Sequence, residues 1–291
     1  MTLRYDTVSF LSDYGRTDEF VGVVHSVLRS LAPEVRVIDI THDIAPYDVR
    51  AGGLALVRSA EYLAPGVVIA VVDPTVGTSR RAIAVEVGDG MSVLVGPDNG
   101  LLAPVVRACG GPGRVVEITN PEVILDGRSG TFDGRDVFAP AAAFLCNGGE
   151  LSELGPSVDP LSLLPAMLPL PREEEGRLHA EVLWIDRYGN VELNVEEEVL
   201  AVTVGGPGEV MRLVMDGGAR HARFVTRFAD LERGETGLLV DSFGLVAIVR
   251  DRESAADELG LVTAAAVTIE RLDDAAPPTI VTPVQFGVRR G

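Results

Sequence analysis

The order of strand-like and helix-like segments constrains this chain more than any other feature of its sequence. In the first half, short β-branched runs that are apolar on both faces alternate with longer segments of helical periodicity. Such runs are typical of strands covered on both sides, and their alternation with helices predicts an α/β domain with a mostly parallel sheet. The predicted strands cover residues 7–12, 35–40, 67–73, 82–87 and 91–96.

Three segments in this half have the spacing of helices. In the first, Asp18 is the expected N-cap and Pro33 lies beyond the end. Its apolar positions recur at helical spacing: Phe20, Val23, Val24, Val27, Leu28 and Leu31. The second predicted helix covers 48–66 and the third covers 135–149.

The pattern changes after residue 155. The stretch "PSVDPLSLLPAMLPLPREEEG" is crowded with prolines and ends in a charge cluster, as domain linkers often do. Beyond it, short strand-like runs separated by turn residues, "AVTV" at 201–204 among them, predict a smaller all-β, barrel-like domain. We therefore divide the chain into an α/β domain (1–165), a Pro-rich linker (166–177) and a β domain (178–291).

The charge balance excludes several classes of function. The formal net charge is −18 and the chain has no lysine, which excludes a Schiff-base lysine, a pyridoxal phosphate enzyme and a P-loop. The acidic balance argues against a nucleic-acid partner, and no apolar run reaches the ~18 residues that a membrane span needs. The N-terminal sequence lacks a signal-peptide pattern, so we expect a cytoplasmic protein whose cysteines, Cys109 and Cys146, stay reduced.

Acidic residues follow three of the predicted strands. Asp13 follows the first strand, Asp73 ends the third, and Asp98 and Asn99 follow the fifth. Open α/β sheets bind ligands beyond the carboxyl ends of their strands, so we expect a ligand site there. For any one of these residues alone, a turn or helix-cap role is the alternative.

No metal site is predicted from the histidines. His42 and Asp43 lack a third ligand at a sensible spacing. His25 lies on the first helix with Val24 and Leu28, and we interpret it as structural. The remaining histidines, His179 and His221, are interpreted as surface residues of the β domain.

A series of motifs, in order along nearly the whole chain, resembles one family. The motifs are "FLSDYGRTDEF", "VIDITHDIAPYDVRAG", "VVDPTVGTSRRAIAV", "GPDNGLL", "TFDGRDVFAPAAA", "IDRYGNVELN" and "DSFGLVAI". They resemble those of the S-adenosylmethionine hydrolases (adenosine-forming), or S-adenosylmethionine hydroxide adenosyltransferases, which are relatives of the fluorinase and chlorinase. The resemblance implies an α/β domain, a β-barrel-like domain and a homotrimer with each active site between the N-domain of one subunit and the C-domain of the next.

The implied reaction is attack of water or hydroxide on the 5′ carbon of S-adenosylmethionine, which gives adenosine and methionine. The leaving group is already activated as a sulfonium, so the reaction needs alignment and a base more than a general acid. No cofactor or metal is implied. S-adenosylmethionine is the substrate, a small molecule.

The resemblance also implies the catalytic residues. The family's hydrolases carry an Asp–Arg–His set around the attacking water, and Asp73 and Arg80 match its first two members. The halogenating relatives have no acid at the Asp73 position, where a carboxylate would repel a halide. This chain has Asp133 in place of the histidine and Thr75 in place of a usual glycine. Two carboxylates should couple, with one holding a proton unless Arg80 lies between them.

Substrate contacts are implied for residues in both domains. They are Asp13 for the ribose hydroxyls, Tyr47 beside the ribose, Asp18 and Asp186 near the methionine ammonium, Asn190 and Phe228 at the adenine, Ser242 at the methionine carboxylate, and Phe132 and Gly134 on either side of Asp133. Simpler structural roles compete: a helix cap for Asp13, core packing for Tyr47, and turns for Asn190 and Ser242. Arg252 falls where the family usually has a small or amide residue, which leaves that adenine contact open.

Asp133 leaves three outcomes open: a carboxylate pair that activates water, a weakened enzyme, or an engineered substitution. The function predicted is hydrolysis of S-adenosylmethionine. The alternatives are a protein that binds S-adenosylmethionine or adenosine with little turnover, a halogenase, and a metal-dependent hydrolase.

Overall fold

The computed structural model describes residues 3–125 and 130–272, and the chain divides into two compact units, Met1–Leu168 and Pro169–Gly291. None of the helices in the described ranges is long and apolar enough to cross a membrane. Each unit has its own hydrophobic core.

The first unit contains a six-stranded sheet in the order β2-β1-β3-β5-β4-β6. Its strands are β1 (Thr7–Ser12), β2 (Arg36–Thr41), β3 (Val67–Val71), β4 (Ala82–Val87), β5 (Ser92–Pro97) and β6 (Val115–Glu117). The four strands from β2 to β5 in this order are parallel, whereas β4 runs antiparallel to both β5 and β6. The predicted α/β domain with a mostly parallel sheet is therefore confirmed. The central strands β1 and β3 are buried along their whole length, but β2 lies at the sheet edge and is only partly buried.

The three predicted helices of the first unit are present, and a fourth, at Ala103–Ala108, was not predicted. The second ends at Ser59 and continues as a 3₁₀ turn to Tyr62, before the predicted end at residue 66. The helices are α1 (Phe20–Leu31), α2 (Val49–Ser59), α3 (Ala103–Ala108) and α4 (Ala139–Cys146), with 3₁₀ turns at Ala60–Tyr62, Leu151–Leu154 and Pro160–Ser162 and a π-helical segment at Gly134–Phe138. Asp18 was predicted to cap α1, but the N-cap position is Glu19 and no side chain caps it. Asp48 does cap α2, because its carboxylate accepts a hydrogen bond from the Ala51 N–H at 2.9 Å.

The second unit is a closed seven-stranded β-barrel with one extra strand. Its strands are β7 (Arg172–Glu174), β8 (Arg177–Ile185), β9 (Val191–Glu196), β10 (Val210–Met215), β11 (Gly218–Phe224), β12 (Thr236–Val240), β13 (Leu245–Arg250) and β14 (Ala266–Arg271). The order is β14-β10-β11-β12-β13-β9-β8-β7, and the pairing of β14 with β8 closes the barrel and leaves β7 outside it. The helices of this unit are α5 (Glu197–Thr203), α6 (Ala255–Leu259) and a 3₁₀ turn at Phe228–Asp230.

One local prediction for the second half is wrong. The run "AVTV" at 201–204 was predicted as a strand, but most of it belongs to α5. Glu197 and Glu198 lie in the first turn of α5, where negative charge favours a helix, and the buried Leu200 anchors it. Within the predicted linker at 166–177, Arg172–Glu174 forms β7 and pairs with β8.

Candidate active site

The parallel strands β1, β3 and β5 are neighbours, so the residues that follow them share one edge of the sheet. Asp13 follows β1 and Asp73 lies two residues beyond β3. The backbone N–H of Asp13 donates to the carbonyl of Val71 at 3.2 Å, which fixes the two strand ends side by side. This edge carries the predicted acids, as expected for a ligand site in an open α/β sheet.

Arg80 joins Asp73 to Asp133. Its Nε donates to Asp73 Oδ2 at 2.8 Å, and its Nη2 donates both to Asp73 Oδ2 and, at 2.6 Å, to Asp133 Oδ2. All three side chains are more than nine-tenths buried, with 5% of Asp73, 8% of Arg80 and 9% of Asp133 exposed. Burial alone would lower the pKa of the Arg80 guanidinium, but its bonds to Asp73 and then Asp133 raise it, so Arg80 stays charged.

The two carboxylates of this cluster differ in how many of their oxygens accept hydrogen bonds. Asp73 Oδ1 accepts from the N–H and the hydroxyl of Thr75, at 3.2 and 3.0 Å, while its Oδ2 accepts twice from Arg80. Asp133 Oδ2 accepts from Arg80, but its buried Oδ1 has no hydrogen-bond partner among the described residues. A buried carboxylate oxygen without a partner is costly unless a ligand or water supplies one. Asp133 Oδ1 is therefore the carboxylate oxygen of this cluster that still needs a hydrogen-bond donor.

The backbone after Asp133 is shaped by aromatic packing. Gly134–Phe138 forms a π-helical segment, a feature frequent at functional sites, and Arg80 lies 5.5 Å above the Phe138 ring. A Cβ on Gly134 would lie 2.2 Å from the Tyr14 hydroxyl, so only glycine fits there. Phe132 packs edge-on against Tyr14 and Phe20, with ring centroids 5.5 and 5.1 Å away.

Asp13 and Tyr47 are in direct contact. Asp13 Oδ2 accepts a hydrogen bond from the Tyr47 backbone N–H at 2.9 Å, while the Tyr47 ring is exposed, with 72% of the residue accessible. Tyr47 also has a φ of 70°, a left-handed conformation that side chains rarely adopt and that clusters at functional sites. Core packing therefore does not explain Tyr47. Burial raises the pKa of Asp13, and the Tyr47 N–H opposes that rise.

Asp98 and Asn99 have structural roles at this edge. The buried Asp98 carboxylate accepts from Arg81 Nε at 2.9 Å and from the Leu164 N–H at 3.0 Å, which holds the segment after residue 159. Asn99 donates to the Val72 carbonyl at 2.9 Å and accepts from the Leu101 N–H. A cavity of about 470 Å³ lies beside Asp98, and Asp73, Arg80 and Asp133 do not line it.

In the second unit, Asp186 and Asn190 lie in one turn between β8 and β9. Asp186 Oδ1 accepts from the N–H groups of Tyr188 and Asn190, at 2.8 and 2.9 Å, and Oδ2 accepts from the Asn190 side-chain amide at 2.7 Å. The Asp186 carboxylate thus positions Asn190 and the backbone of the turn. Asn190 Oδ1 is not engaged by this interaction.

The turn that contains Ser242 repeats this arrangement between β12 and β13. Asp241 Oδ1 accepts from the N–H groups of Phe243 and Leu245, at 2.8 and 3.1 Å. The glycines of the two turns, Gly189 and Gly244, have φ angles of 82° and 81°. Ser242 is exposed on its turn, and Phe228, which begins a 3₁₀ turn, is 45% exposed. In the first unit, Asp18 is exposed just before α1.

Sequence reasoning missed two residues of the cluster. Tyr14 is packed among Phe10, Phe20 and Phe132, and burial together with the nearby carboxylates raises the pKa of its hydroxyl. Thr75 was noticed as a departure from glycine, but not as the donor of two bonds to Asp73. Its position two residues after Asp73 is typical of an Asx turn and could have predicted the backbone bond.

Comparison with known proteins agrees with this geometry. The family model described as the SAM hydroxide adenosyltransferase N-terminal domain matches residues 8–155, and the model of the C-terminal domain matches residues 180–268. The chain is 44% identical over 254 residues, 87% of its length and 94% of the relative's, to the (R)-S-adenosyl-L-methionine hydrolase of Salinispora tropica.

More distant relatives also match most of the chain. A fluorinase from Actinoplanes sp. is 26% identical over 290 residues, which covers 91% of this chain and 97% of the fluorinase. A solved structure of an uncharacterized conserved protein from Thermotoga maritima superposes with a TM-score of 0.83 at 32% identity, and covers 91% of this chain and 100% of that one.

Proposed function

Since this chain belongs to the SAM hydroxide adenosyltransferase family, we propose that it hydrolyses S-adenosyl-L-methionine to adenosine and L-methionine. The observation that carries the proposal is the buried cluster of Asp73, Arg80 and Asp133 at the sheet edge. The same edge presents Asp13, a suitable acceptor for the two ribose hydroxyls. The protein is an enzyme, and its substrate is a small molecule.

The reaction is a displacement at C5′ of the ribose. The water oxygen forms a bond to C5′ while the C5′–S bond breaks, and the electron pair of that bond returns to sulfur, which leaves as the neutral thioether of methionine. One water proton must be removed, and no group has to protonate the leaving sulfur. The protein therefore needs to align oxygen, carbon and sulfur and to accept a proton. No cofactor enters this scheme.

Asp133 is the proposed acceptor of the water proton, because its Oδ1 is buried and without a partner among the described residues. Arg80 lies between the two carboxylates and donates to an oxygen of each. Asp73, whose oxygens are occupied by Thr75 and Arg80, holds the guanidinium in place. In this assignment Asp133, at the position of the family's histidine, activates the water, and Asp73 supports it through Arg80.

Water is the proposed nucleophile rather than a halide. The cluster contains two acidic side chains and one guanidinium, so its formal charge is negative. In a buried site such a charge would repel chloride or fluoride strongly, whereas it favours removal of a proton from water. The higher identity to the hydrolase, 44% against 26% for the fluorinase, supports the same choice.

Substrate binding is proposed for residues of both units. In the first unit, Asp13 binds the ribose hydroxyls, the exposed Tyr47 ring covers the ribose, Asp18 attracts the methionine ammonium, and Phe132 and Gly134 shape the wall next to Asp133. In the second unit, Asn190 and Phe228 bind the adenine and Ser242 binds the methionine carboxylate. Asp186 acts there through Asn190, which it positions.

The configuration at sulfur is part of the proposal. The name of the Salinispora tropica relative specifies the (R) form of S-adenosyl-L-methionine. We extend that preference to this chain. The two epimers differ in where the sulfonium methyl group points, so a site that aligns the sulfur behind C5′ for one epimer misaligns it for the other.

A homotrimer in the cytoplasm completes the proposal. Large apolar side chains are exposed on the stretch that follows Pro160, with Leu161 93%, Met167 86% and Leu170 86% exposed, as expected for a surface that another subunit covers. Both cysteines are unpaired, which fits a reducing compartment.

The test is a product assay with purified protein. Each epimer of S-adenosyl-L-methionine is incubated with the protein, and adenosine and methionine are separated by chromatography. The proposal expects equal amounts of both products, faster with the (R) epimer and at the same rate with added chloride or chelator. Binding of either epimer without release of adenosine would contradict it.

A further inference from the structure

A cluster of two histidines and an aspartate lies outside the catalytic cluster. His25 is on α1, Asp39 is on β2, and His42 follows β2, so the chain distance between them gives little hint of their contact. One ligand atom from each lies within 4.8 Å of the others. Sequence reasoning paired His42 with Asp43 and found no third ligand, but the partner of His42 is Asp39.

The geometry of the three groups fits a shared ion. Asp39 Oδ1 lies 2.8 Å from His25 Nε2 and 3.0 Å from His42 Nε2. Two ligands of one tetrahedral zinc ion are about 3.3 Å apart, given metal–ligand bonds of roughly 2.0–2.1 Å. Small side-chain movements would therefore bring all three atoms to bonding distance of one ion.

The state of His42 is the second observation. Its side chain is fully buried, yet Nε2 is not aligned for a hydrogen bond with Asp39 and has no other partner among the described residues. Its other nitrogen, Nδ1, lies 2.7 Å from the Ser12 hydroxyl, which is also buried. Because Nδ1 is engaged with Ser12, Nε2 is the ring nitrogen left to bind an ion, as in metal-binding histidines.

We propose that His25, Asp39 and His42 bind one divalent metal ion of the zinc type, which ties α1 to the edge strand β2. Imidazole and carboxylate ligands suit Zn²⁺ and its neighbours in the first transition row better than Ca²⁺ or Mg²⁺. Arg16 does not compete for the same atom, because its guanidinium is 4.0 Å from Asp39 Oδ2 and is mostly exposed.

The ion would stabilise the fold rather than take part in the reaction. Edge strand β2 is only partly buried, so a bond from β2 to α1 adds a constraint that packing does not supply. The site also adjoins the loop of Asp13, since the His42 carbonyl accepts from the Gly15 N–H at 2.7 Å. A metal ion that binds the folded protein but not the unfolded chain stabilises the folded state. The melting temperature then rises with the logarithm of the metal concentration.

The experiment uses the full chain without a histidine tag, stripped with chelator and then titrated with Zn²⁺ by calorimetry and with Co²⁺ by visible absorbance. We expect one equivalent to bind, d–d bands typical of histidine ligation with Co²⁺, and a melting temperature several degrees higher with Zn²⁺. His25 is partly exposed, so His25→Gln should fold and should lose roughly tenfold or more in affinity. The matched control is His221→Gln, on an exposed strand position of the second unit.

A second pair of variants tests which carboxylate, Asp39 or Asp43, binds the metal. Asp39→Asn should weaken binding, while Asp43→Asn, at an exposed position four residues further along, should leave it unchanged. Absence of binding at micromolar metal would overturn the proposal. So would equal affinity in His25→Gln and His221→Gln, which would place the metal elsewhere. Because metal content and melting temperature are the readouts, these results are independent of whether the protein hydrolyses S-adenosyl-L-methionine.

Discussion

Asp133 is the residue on which the proposed chemistry depends most. Asp133→Asn keeps the size of the side chain and a bond to Arg80 but removes the proton acceptor. We expect turnover to fall roughly 10²–10⁴-fold, the usual contribution of a positioned base, with little change in affinity for S-adenosyl-L-methionine. Single-turnover kinetics and calorimetry measure the two quantities separately.

Asp133→His provides the matched comparison. A neutral imidazole can also accept a proton beside Arg80, so this variant should retain much more activity than Asp133→Asn. Equal activity of wild type and Asp133→Asn would remove Asp133 from the reaction and contradict its role as the base.

Variants of Asp13 and Asp18 should distinguish the contacts made to the two ends of the substrate. Asp13→Ala removes the acceptor of the ribose hydroxyls, which adenosine and S-adenosyl-L-methionine share, so both should bind roughly tenfold to hundredfold more weakly. Asp18→Ala should weaken S-adenosyl-L-methionine and leave adenosine unchanged, because adenosine has no ammonium group. Titration calorimetry with both ligands checks this. An unchanged dissociation constant for adenosine in Asp13→Ala would exclude Asp13 from the site.

Single residues also show where sequence reasoning stops. Asp73 and Arg80 are seven positions apart and could be paired from a family pattern, and their contact is present. Which carboxylate has an oxygen without a partner could not be predicted. It depends on Thr75 bonding to Asp73 Oδ1 and on no described residue bonding to Asp133 Oδ1. Such differences arise from side-chain geometry that spacing alone does not encode.

At the scale of elements, the π-helical segment Gly134–Phe138 sets the direction of Asp133. Gly134→Ala would place a Cβ 2.2 Å from the Tyr14 hydroxyl and 3.1 Å from its ring, and the rings of Phe10, Phe20 and Phe132 keep Tyr14 from moving away. We expect a loss of about 1–3 kcal/mol in the free energy of unfolding, and a loss of activity as Asp133 shifts.

The control for this change is Gly22→Ala in α1, where a Cβ meets nothing within 4 Å. That variant should gain about 0.5–1 kcal/mol, since alanine favours a helix. Chemical denaturation of both variants gives the comparison. A Gly134→Ala protein as stable and active as wild type would show that Tyr14 does not constrain this turn.

Elements with a clear sequence pattern could be predicted, whereas short ambiguous segments could not. Strands β1 and β4 coincide with the predicted runs because residues on both of their faces are buried there. In contrast, "AVTV" became part of a helix because the acidic residues before it outweigh the strand preference of four residues. The barrel was predicted as a class, but its closure through β14 and β8 depends on pairing between distant segments.

For the whole molecule, the proposed homotrimer must form against repulsion, since each chain carries a formal charge of −18. At physiological ionic strength, salt screens the repulsion between exposed charges that lie more than about 8 Å apart. Association of the subunits should therefore strengthen as the salt concentration rises. Sedimentation equilibrium at low and high salt is expected to give three times the chain mass at micromolar concentration. A monomer under both conditions would contradict the proposed assembly.

The central claim is attack of water on C5′, and the fate of the water oxygen tests it most directly. The reaction is run in heavy-oxygen water with (R)-S-adenosyl-L-methionine, and both products are analysed by mass spectrometry. We predict one heavy oxygen atom in adenosine, at the 5′ hydroxyl, and none in methionine. Adenosine without the label, or a 5′-halogenated nucleoside in its place when chloride is present, would contradict it.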